Sequence, residues 1–471
     1  MRTNPLLNTD SYKVGMWLQY PEGTEFVSSY IESRGGKWNE TVFFGMQMFL
    51  KEYMMEPFTQ EDILEADKMW TQHGEPFNRE GFQYILDNHD GYFPVKIESL
   101  AEGTVIPTRN ALVQIQNTDP KVPWVTTWIE TALLRAIWYP TTVATNSYKC
   151  KEQIHNALVK TGSPDQIAFK LHDFGARGVS SQESAMIGGA SHLVNFMGTD
   201  TMAGIAMIKE YYDEDMAGFS IPASEHSTIT TWGGPEFEID AFENMLDKFG
   251  GEGKIVACVS DSYNIWESVE KWKSLEPKIL EKKMTLVVRP DSGDPTIVPI
   301  QLIQMLMDAF GSTTNDKGYK VLPDHIRIIQ GDGITHDSIG QILKNMISNG
   351  LSVDNIAFGM GGGMLQQFDR DTLKFAMKAS AIKVNGQWRD VYKDPVTDHG
   401  KGSKRGRLKT VRTDFGTWET TRVYEADLDT SDETKYPYGN KLKLRYRNGY
   451  LRNQTSFARI RELASKGFEN V

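Results

Sequence analysis

Short apolar runs alternate with longer amphipathic stretches through the middle of the chain, from about residue 141 to residue 378. The runs have the length of buried strands, and the stretches between them repeat apolar residues at helical spacing. This alternation predicts a parallel sheet covered by helices. Seven or eight repeats within about 230 residues match the size of a (β/α) barrel, with a doubly wound open sheet as the alternative. The predicted strands are Ile167–Leu171, Leu193–Phe196, Phe219–Ile221, Ile255–Val259, Thr285–Val288, Ile326–Ile329 and Asn355–Phe358, and the predicted helices are Glu238–Phe249, Ile265–Ser274, Pro299–Phe310, Ile339–Ser348 and Arg370–Lys378.

The two flanking segments, residues 1–140 and 379–471, mix strand and helix patterns without a regular alternation. We expect them to pack together as one discontinuous α+β domain beside a barrel domain of residues 141–378. A tight turn at Asn385-Gly386 predicts a hairpin, and Pro140 is expected to end the preceding helix. The other elements predicted here are strands Glu25–Ile31, Val95–Leu100, Ala111–Gln116 and Leu442–Tyr446 with Tyr450, and helices Phe43–Tyr53, Glu61–Trp70, Trp124–Ile137 and Gln454–Lys466.

Polar and charged residues follow the predicted barrel strands directly. Since the carboxyl ends of barrel strands meet at one face, these residues are expected to converge where barrel enzymes carry out their chemistry. A lone Asp or Gly after a strand is usually a cap or a turn residue. Seven such loops together are hard to explain by capping alone. The residues concerned include Asp173, Phe174, Arg177, Asp200, His226, Asp261, Arg289, Asp291, Gly331, Asp332 and Gly361–Gly363.

The residue types in these loops suit a phosphorylated ligand. An arginine side chain can bind a phosphate or carboxylate group through two parallel hydrogen bonds. Glycines at a helix start let a phosphate approach backbone N–H groups. Aspartates can hold ribose hydroxyls, or Mg²⁺ through water. The arginine candidates are Arg34, Arg177, Arg289 and Arg370, the glycines are Gly361–Gly363, and the aspartates are Asp261, Asp291 and Asp332.

Two further side chains fit either a catalytic or binding role or a purely structural one. His226, beside Glu225, suits a general base, a nucleophile toward phosphoryl groups, or a hydrogen-bonded core histidine. Phe174 suits core packing or stacking on a flat heterocycle. The sequence alone leaves these alternatives open.

Composition and charge narrow the classes of partner. The chain has 471 residues and a formal net charge of −11, which disfavours a general nucleic-acid binder. Its two cysteines, Cys150 and Cys258, lack metal-ligand spacing; this fits a reducing compartment or simple core packing and argues against a disulfide scaffold. No signal-peptide pattern and no run of about 18 apolar residues occur, so we expect a cytoplasmic protein without a membrane span.

The assembled motifs resemble the nicotinamide phosphoribosyltransferase family, from Asn4 to near the C-terminus. The matching stretches are TDSYKVGMWLQYP, KLHDFGARGVSSQE, LVNFMGTDTMAG, PASEHSTIT, VSDSYN, VVRPDSGDP, IQGDG, NIAFGMGGG, KDPVTD and SKRGRL. The resemblance implies an irregular (β/α) barrel of the type II phosphoribosyltransferases with a second mixed domain, in a homodimer with shared active sites. It implies transfer of phosphoribosyl from phosphoribosyl pyrophosphate to nicotinamide with Mg²⁺, driven by ATP through a phosphohistidine, in NAD salvage.

The resemblance also implies roles for the residues already singled out. Phe174, and Tyr12 from the partner subunit, would sandwich the nicotinamide ring, with Arg177 beside it, and Asp200 would read its carboxamide. His226 would be phosphorylated, paired with Asp261. The ribose and phosphate contacts would come from Arg289, Asp291, Gly331, Asp332, Gly362, Gly363, Arg34, Arg370 and the basic stretch near Lys393 to Arg405. Mg²⁺ would be held mainly through pyrophosphate and water.

Two positions depart from the family pattern. Ala176 stands where the vertebrate enzymes carry a tyrosine, and Ala257 where they carry a serine that can bond the carboxamide. Two alternative functions remain: a nicotinate phosphoribosyltransferase, and a non-catalytic sensor that binds a nucleotide. The sensor is disfavoured because His226, Asp261, Arg289 and Asp291 are all present.

Overall fold

The computed structural model describes residues 4–397, 402–423, 439–466 and residue 468. In chain order the strands are β1 Thr24–Ser33, β2 Glu40–Val42, β3 Val95–Ser99, β4 Val105–Pro107, β5 Ala111–Asn117, β6 Leu171–Asp173, β7 Gly198–Thr199, β8 Ile255–Val259, β9 Thr285–Arg289, β10 Thr313–Thr314, β11 Lys320–Val321, β12 Ile326–Gln330, β13 Ile356–Met360, β14 Phe375–Val384, β15 Gln387–Asp390, β16 Leu408–Arg412, β17 Trp418–Arg422, β18 Lys443–Arg447 and β19 Tyr450–Leu451. The α-helices are α1 Met46–Phe49, α2 Gln60–His73, α3 Arg79–His89, α4 Val125–Trp128, α5 Glu130–Thr161, α6 Gln182–His192, α7 Met202–Tyr212, α8 His226–Thr230, α9 Glu238–Phe249, α10 Ile265–Glu281, α11 Val298–Phe310, α12 His336–Ser348, α13 Gly362–Leu365 and α14 Phe457–Ser465.

The chain divides into two compact units. The first consists of Met1–Thr145, Glu210–Glu214 and Phe368–Val471, and the second of Asn146–Lys209 and Asp215–Gln367.

The first unit is built on an antiparallel sheet with strand order β15-β14-β1-β5-β3-β18-β19. The hairpin predicted at Asn385-Gly386 joins β14 to β15, and both turn residues have positive φ, 48° and 80°, as a type I′ turn requires. Buried aromatic and aliphatic side chains, among them Ile31, Phe49 and Phe82, form its core. The strand pair β18–β19 occurs where the sequence predicted it.

Two sequence predictions near this unit are wrong. Pro140 does not end its helix, because α5 continues to Thr161. Val143, Ala144, Ile154 and Leu158 continue the buried face beyond the proline, and this burial outweighs the backbone bond that proline lacks. The predicted helix Arg370–Lys378 is a 3₁₀ turn followed by β14, which pairs with β1 along most of its length.

The second unit contains a parallel sheet with strand order β7-β6-β13-β12-β9-β8. Its two edges are joined by residues 219–223: Phe219 bridges to Gly198 of β7, and Ala223 bridges to Ala257 of β8. This segment is the predicted strand Phe219–Ile221, reduced to isolated bridges. The sheet thus curls into the irregular barrel that the alternation predicted, and the open doubly wound sheet is excluded.

Two predicted barrel strands are misplaced. Residues Ile167–Leu171 mostly form the 3₁₀ helix Pro164–Phe169, and the strand lies at Leu171–Asp173. Leu193–Phe196 is a buried turn after α6, and the strand lies at Gly198–Thr199. Both runs are apolar because they are buried. A short apolar run has the same sequence pattern whether it pairs in a sheet or is buried without pairing. His172 and Asp173 therefore lie within a strand and not after it.

The structure also contains elements that the sequence did not predict, among them helices α3, α6, α7 and α8 and the strand pairs β2–β4, β10–β11 and β16–β17. Across the part of the chain that the structure describes, no helix combines the length and the hydropathy that crossing a bilayer requires.

Candidate functional site

The loops that follow the parallel strands of the second unit lie at one end of its barrel, because all these strands run in the same direction. Glycines allow several of these loops to touch. A Cβ on Gly363 would lie 2.8 Å from the Ile334 carbonyl oxygen, and one on Gly178 would lie 3.6 Å from the Gly362 Cα. The loops after β6, β12 and β13 therefore meet, as the strand-end pattern predicted.

Phe174 lies inside this end of the barrel. Its N–H donates to the Met360 carbonyl at 2.9 Å, and its ring packs on an apolar cluster. The cluster consists of Ala257, Val287, Ile329 and Ala357. The ring is only partly buried, so an aromatic surface remains available to a flat ligand.

The position of this ring depends on the missing side chain of Gly359. A Cβ there would lie 2.0 Å from Phe174 Cε2, closer than any carbon contact allows. We expect Gly359→Ala to displace the ring and to lower the free energy of unfolding by about 1–3 kcal/mol, the usual cost of overpacking. Urea denaturation measures this. Gly251→Ala is the matched control, because its added Cβ would meet only Lys254 Cγ at 3.6 Å; equal losses in both variants would contradict the packing argument.

Asp200 directly follows β7 and is held by two donors. His172 Nε2 lies 2.8 Å from its Oδ1, and Ser220 Oγ donates to the same oxygen at 2.6 Å. Burial alone raises the pKa of Asp200, but the bonds from His172 and Ser220 and the charge of His172 more than offset it, so the pKa lies below its usual range. The side chain is half exposed. The site therefore presents an anionic carboxylate near Phe174, whose ring centroid is 5.1 Å from that of His172.

His226 and Asp261 form a hydrogen-bonded pair. Residues 222–224 pair with β8 through Ala257, so His226 opens α8 at the end of the sheet where Asp261 follows β8. His226 Nε2 lies 2.9 Å from Asp261 Oδ1. Burial raises the pKa of Asp261, but bonds from Ser292, the Asp291 N–H and His226 lower it below its usual range. Asp261 is therefore an acceptor only, so Nε2 of His226 is the donor of this bond, and Nδ1 takes no part in it.

Asp291 and Arg289 face this pair from the end of β9. Asp291 Oδ2 lies 3.8 Å from His226 Nδ1 and 3.6 Å from an Arg289 terminal nitrogen. Burial raises the pKa of Asp291; Arg289 opposes the shift, while the neighbouring carboxylates Asp261 and Asp332 increase it. The three carboxylates thus crowd one end of the barrel, which favours a cation or a cationic group among them.

Buried polar atoms at the same end lack a hydrogen-bond partner among the described residues. They are Arg289 Nε, Ser262 Oγ and Gln330 Oε1. Buried polar groups are nearly always paired in folded proteins. Because Arg289 Nε is a charged donor, a bound anion is the natural acceptor for it.

The remaining predicted residues lie in different surroundings. Arg177 is exposed on a 3₁₀ turn after β6. Tyr12, Arg34 and Arg370 belong to the first unit. Tyr12 is 58% exposed, and Arg370 is exposed beside Asp371. Arg34 bonds the Lys374 carbonyl. Within the predicted basic stretch, residues 398–401 lie outside the described residues.

Three residues that orient the site were not singled out from the sequence. His172 and Ser220 hold Asp200, and Ser292 donates to Asp261 Oδ2 at 2.5 Å. His172 and Ser292 stand inside the LHDFG and RPDSG motifs, and their closeness to the ends of β6 and β9 was the available signal. Ser220 had none, because it lies inside the predicted strand Phe219–Ile221 and not after it.

Family comparisons match the two parts of the chain separately. Residues 169–440 match the model described as the nicotinate phosphoribosyltransferase (NAPRTase) family. Residues 4–97 match the model described as the nicotinamide phosphoribosyltransferase N-terminal domain.

Solved structures agree on the fold. A nicotinate-nucleotide pyrophosphorylase from Pyrococcus furiosus superposes with a TM-score of 0.62 at 16% identity, covering 99% of this chain and 96% of that one. Human nicotinic acid phosphoribosyltransferase gives 0.57 at 15% identity, covering 98% and 93%. The predicted fold class, the irregular barrel of the type II phosphoribosyltransferases with a mixed second part, is confirmed.

Sequence relatives carry the family assignment. A nicotinamide phosphoribosyltransferase of Xanthomonas campestris pv. campestris is 52% identical over 413 residues, 87% of this chain and 88% of the relative. One from Acinetobacter baylyi is 34% identical over 457 residues, 88% of this chain and 90% of the relative. Because these relatives cover most of the chain at 52% and 34% identity, the chain belongs to the nicotinamide phosphoribosyltransferase family of pentosyltransferases.

Proposed function

We propose that this enzyme transfers the phosphoribosyl group of phosphoribosyl pyrophosphate to nicotinamide, forming nicotinamide mononucleotide and pyrophosphate in NAD salvage. The ionised carboxylate of Asp200, near Phe174, is the observation that supports nicotinamide as the base. Such a carboxylate accepts a hydrogen bond from a carboxamide NH₂ and repels a carboxylate. The Phe174 ring supplies a face on which the pyridine ring stacks.

The transfer itself needs orientation and charge more than covalent help. The pyridine nitrogen bonds to the anomeric carbon while the bond from that carbon to pyrophosphate breaks, and the electron pair leaves on pyrophosphate. Arg289, whose Nε has no partner among the described residues, suits the phosphate groups. Asp291 suits the ribose and the developing positive charge of the sugar. Fixed charges of this kind and a positioned nucleophile supply most of such catalysis.

Mg²⁺ fits the donor set at this end of the barrel. The described residues contain no cluster of three or more His, Cys, Asp or Glu side chains arranged to enclose a metal ion. Mg²⁺ usually binds one or two carboxylates together with water and substrate phosphates. Asp291 and Asp332, which lie close enough to perturb each other, would hold it in that way. When bound, the ion would neutralise charge on the pyrophosphate.

We also propose that ATP phosphorylates His226 and that this step drives the transfer forward. The Asp261 bond on Nε2 leaves Nδ1 free to attack the γ-phosphoryl group, with ADP leaving. Asp261 then stabilises the positive charge that the imidazole acquires. Water later cleaves the phosphorus–nitrogen bond and releases phosphate.

A nicotinate phosphoribosyltransferase is the second candidate, and the family model over residues 169–440 favours it. The anionic Asp200 argues against it. A nucleotide sensor is the third, and the intact His226–Asp261 pair argues against that.

Product analysis of the purified protein separates these candidates. The protein is incubated with phosphoribosyl pyrophosphate, Mg²⁺ and either pyridine, with and without ATP. We expect nicotinamide mononucleotide, with a higher yield when ATP is present. Nicotinate mononucleotide as the main product would favour the second candidate, and no mononucleotide would favour the sensor.

We further propose a homodimer in which Tyr12 completes the partner's site. Tyr12 is an exposed aromatic side chain on a 3₁₀ turn, as a residue offered to a partner would be. Tyr12→Ala and Phe174→Ala should each lose most activity, and unfolding and refolding the two together should restore part of it through one intact hybrid site. Refolding either variant with the Tyr12→Ala/Phe174→Ala double variant is the control and should restore none. An active monomer in sedimentation at assay concentration would contradict the proposal.

A cytoplasmic location of the protein also stays a prediction.

A further inference from the structure

His172 lies at this end of the barrel, between Phe174 and Asp200. It stands in β6, its side chain is 14% exposed, and its Nε2 points at Asp200 Oδ1, 2.8 Å away. Gly198 of the adjacent strand makes room for it, since a Cβ there would lie 2.7 Å from His172 Nδ1. The ring orientation is thus set by packing on one side and by a hydrogen bond on the other.

This contact decides which oxygen of Asp200 remains for a ligand. Oδ1 accepts from both His172 and Ser220, whereas no hydrogen bond to Oδ2 is found among the described residues. A carboxylate with one occupied oxygen presents the other in a fixed direction. Loss of His172 would leave the Ser220 bond alone to hold the group.

We propose that His172 is a positioning residue that sets the selectivity of this enzyme for an uncharged over an anionic pyridine, by orienting Asp200 and by balancing its charge. This inference rests on the proposed function, in which the Asp200 carboxylate recognises the carboxamide of nicotinamide. A neutral His172 leaves the pair with one negative charge, which repels the carboxylate of nicotinate. A protonated His172 makes the pair neutral and weakens that repulsion.

The selectivity should therefore depend on pH, since imidazoles commonly change charge between about pH 5 and 8. The other charged groups that face this pair are Asp173 on the same strand and Arg289 at the end of β9. Arg289 stays protonated in this range, whereas burial raises the pKa of Asp173 above its usual range. His172→Gln keeps Asp173 in place, so it separates the contribution of His172 from that of Asp173.

The test measures kcat/KM for nicotinamide and for nicotinate, at saturating phosphoribosyl pyrophosphate, between pH 6 and pH 8.5. The ratio of the two should rise severalfold with pH in the parent enzyme. His172→Ala should lower the ratio at pH 8 by about tenfold, the effect of losing a charge-assisted hydrogen bond. His172→Gln keeps a donor that does not titrate, so it should restore most of the ratio and remove its pH dependence. His325→Gln, which alters a histidine paired with Glu276 away from these loops, is the matched control and should behave as the parent does.

Asp200→Asn is measured alongside to separate two kinds of failure. If Asp200→Asn changes the ratio but His172→Gln keeps the parent's pH dependence, the role of His172 is overturned and the proposed function stands. If Asp200→Asn leaves the ratio unchanged, Asp200 does not recognise the base, and the inference about His172 is overturned as well. Should His172→Ala not fold, the pH profile of His172→Gln alone decides.

Discussion

Replacing Asp200 by Asn or Ser should sharply lower the ratio of kcat/KM for nicotinamide to kcat/KM for nicotinate. The parent enzyme should prefer nicotinamide by at least about a hundredfold. A mismatched buried polar contact costs about 1–3 kcal/mol, charge repulsion adds to it, and each factor of ten corresponds to about 1.4 kcal/mol. Specificity built on repulsion is lost when the repelling charge is removed. The ratio should therefore fall through weaker use of nicotinamide, admission of nicotinate, or both.

The competing explanation is that Asp200 only caps α7, which begins at Met202. Serine is as good a cap as aspartate, so Asp200→Ser should preserve stability under that explanation and leave the ratio unchanged. Asp247→Asn is a matched control on α9, where the carboxylate pairs with Lys278 on the protein surface. An unchanged ratio in both Asp200 variants would defeat the assignment.

Replacing His226 by Ala should abolish ATP hydrolysis and the ATP-driven gain in mononucleotide yield. Transfer without ATP should persist in part, because Phe174, Asp200 and Arg289 are untouched. The measurements are phosphate release and mononucleotide yield on the same preparation. The physical reason is that no other imidazole lies against Asp261 and Asp291 among the described residues.

The control for this substitution is His325→Ala, which removes an imidazole bonded to Glu276 and should leave ATP turnover intact. Asp261→Asn should lower ATP turnover less than His226→Ala does, since the nucleophile remains while its orientation weakens. ATP turnover in His226→Ala equal to that of the parent would show that the phosphorylated group, if any, is elsewhere.

The sequence predicted the second unit best where strands and helices alternate regularly. Helix α9 has the bounds predicted, and β8, β9, β12 and β13 lie within a residue or two of their predicted positions. The errors fall on apolar runs that are buried without pairing, as at Leu193–Phe196, and on a proline that a buried helix accommodates. Neither burial without pairing nor a tolerated proline leaves a periodic signal, because both depend on contacts distant in sequence.

The signal that located the candidate site in the sequence was the position of polar and charged residues at the ends of predicted strands. It brought together Phe174, Asp200, His226, Asp261 and Arg289 without any knowledge of their contacts. It did not reveal which residue orients which, since a hydrogen bond such as that from His172 to Asp200 depends on side-chain directions set by neighbouring strands. The roles of Tyr12, Arg34 and Arg370 came from the resemblance alone and stay predictions.

The most direct test of the proposed activity is a competition between the two bases in one reaction. Equimolar nicotinamide and nicotinate are supplied with limiting phosphoribosyl pyrophosphate, Mg²⁺ and ATP at pH 8, and the two mononucleotides are quantified together. We expect nicotinamide mononucleotide to exceed nicotinate mononucleotide by about a hundredfold or more, for the reasons of charge given above. Equal amounts, or an excess of nicotinate mononucleotide, would contradict the proposed function.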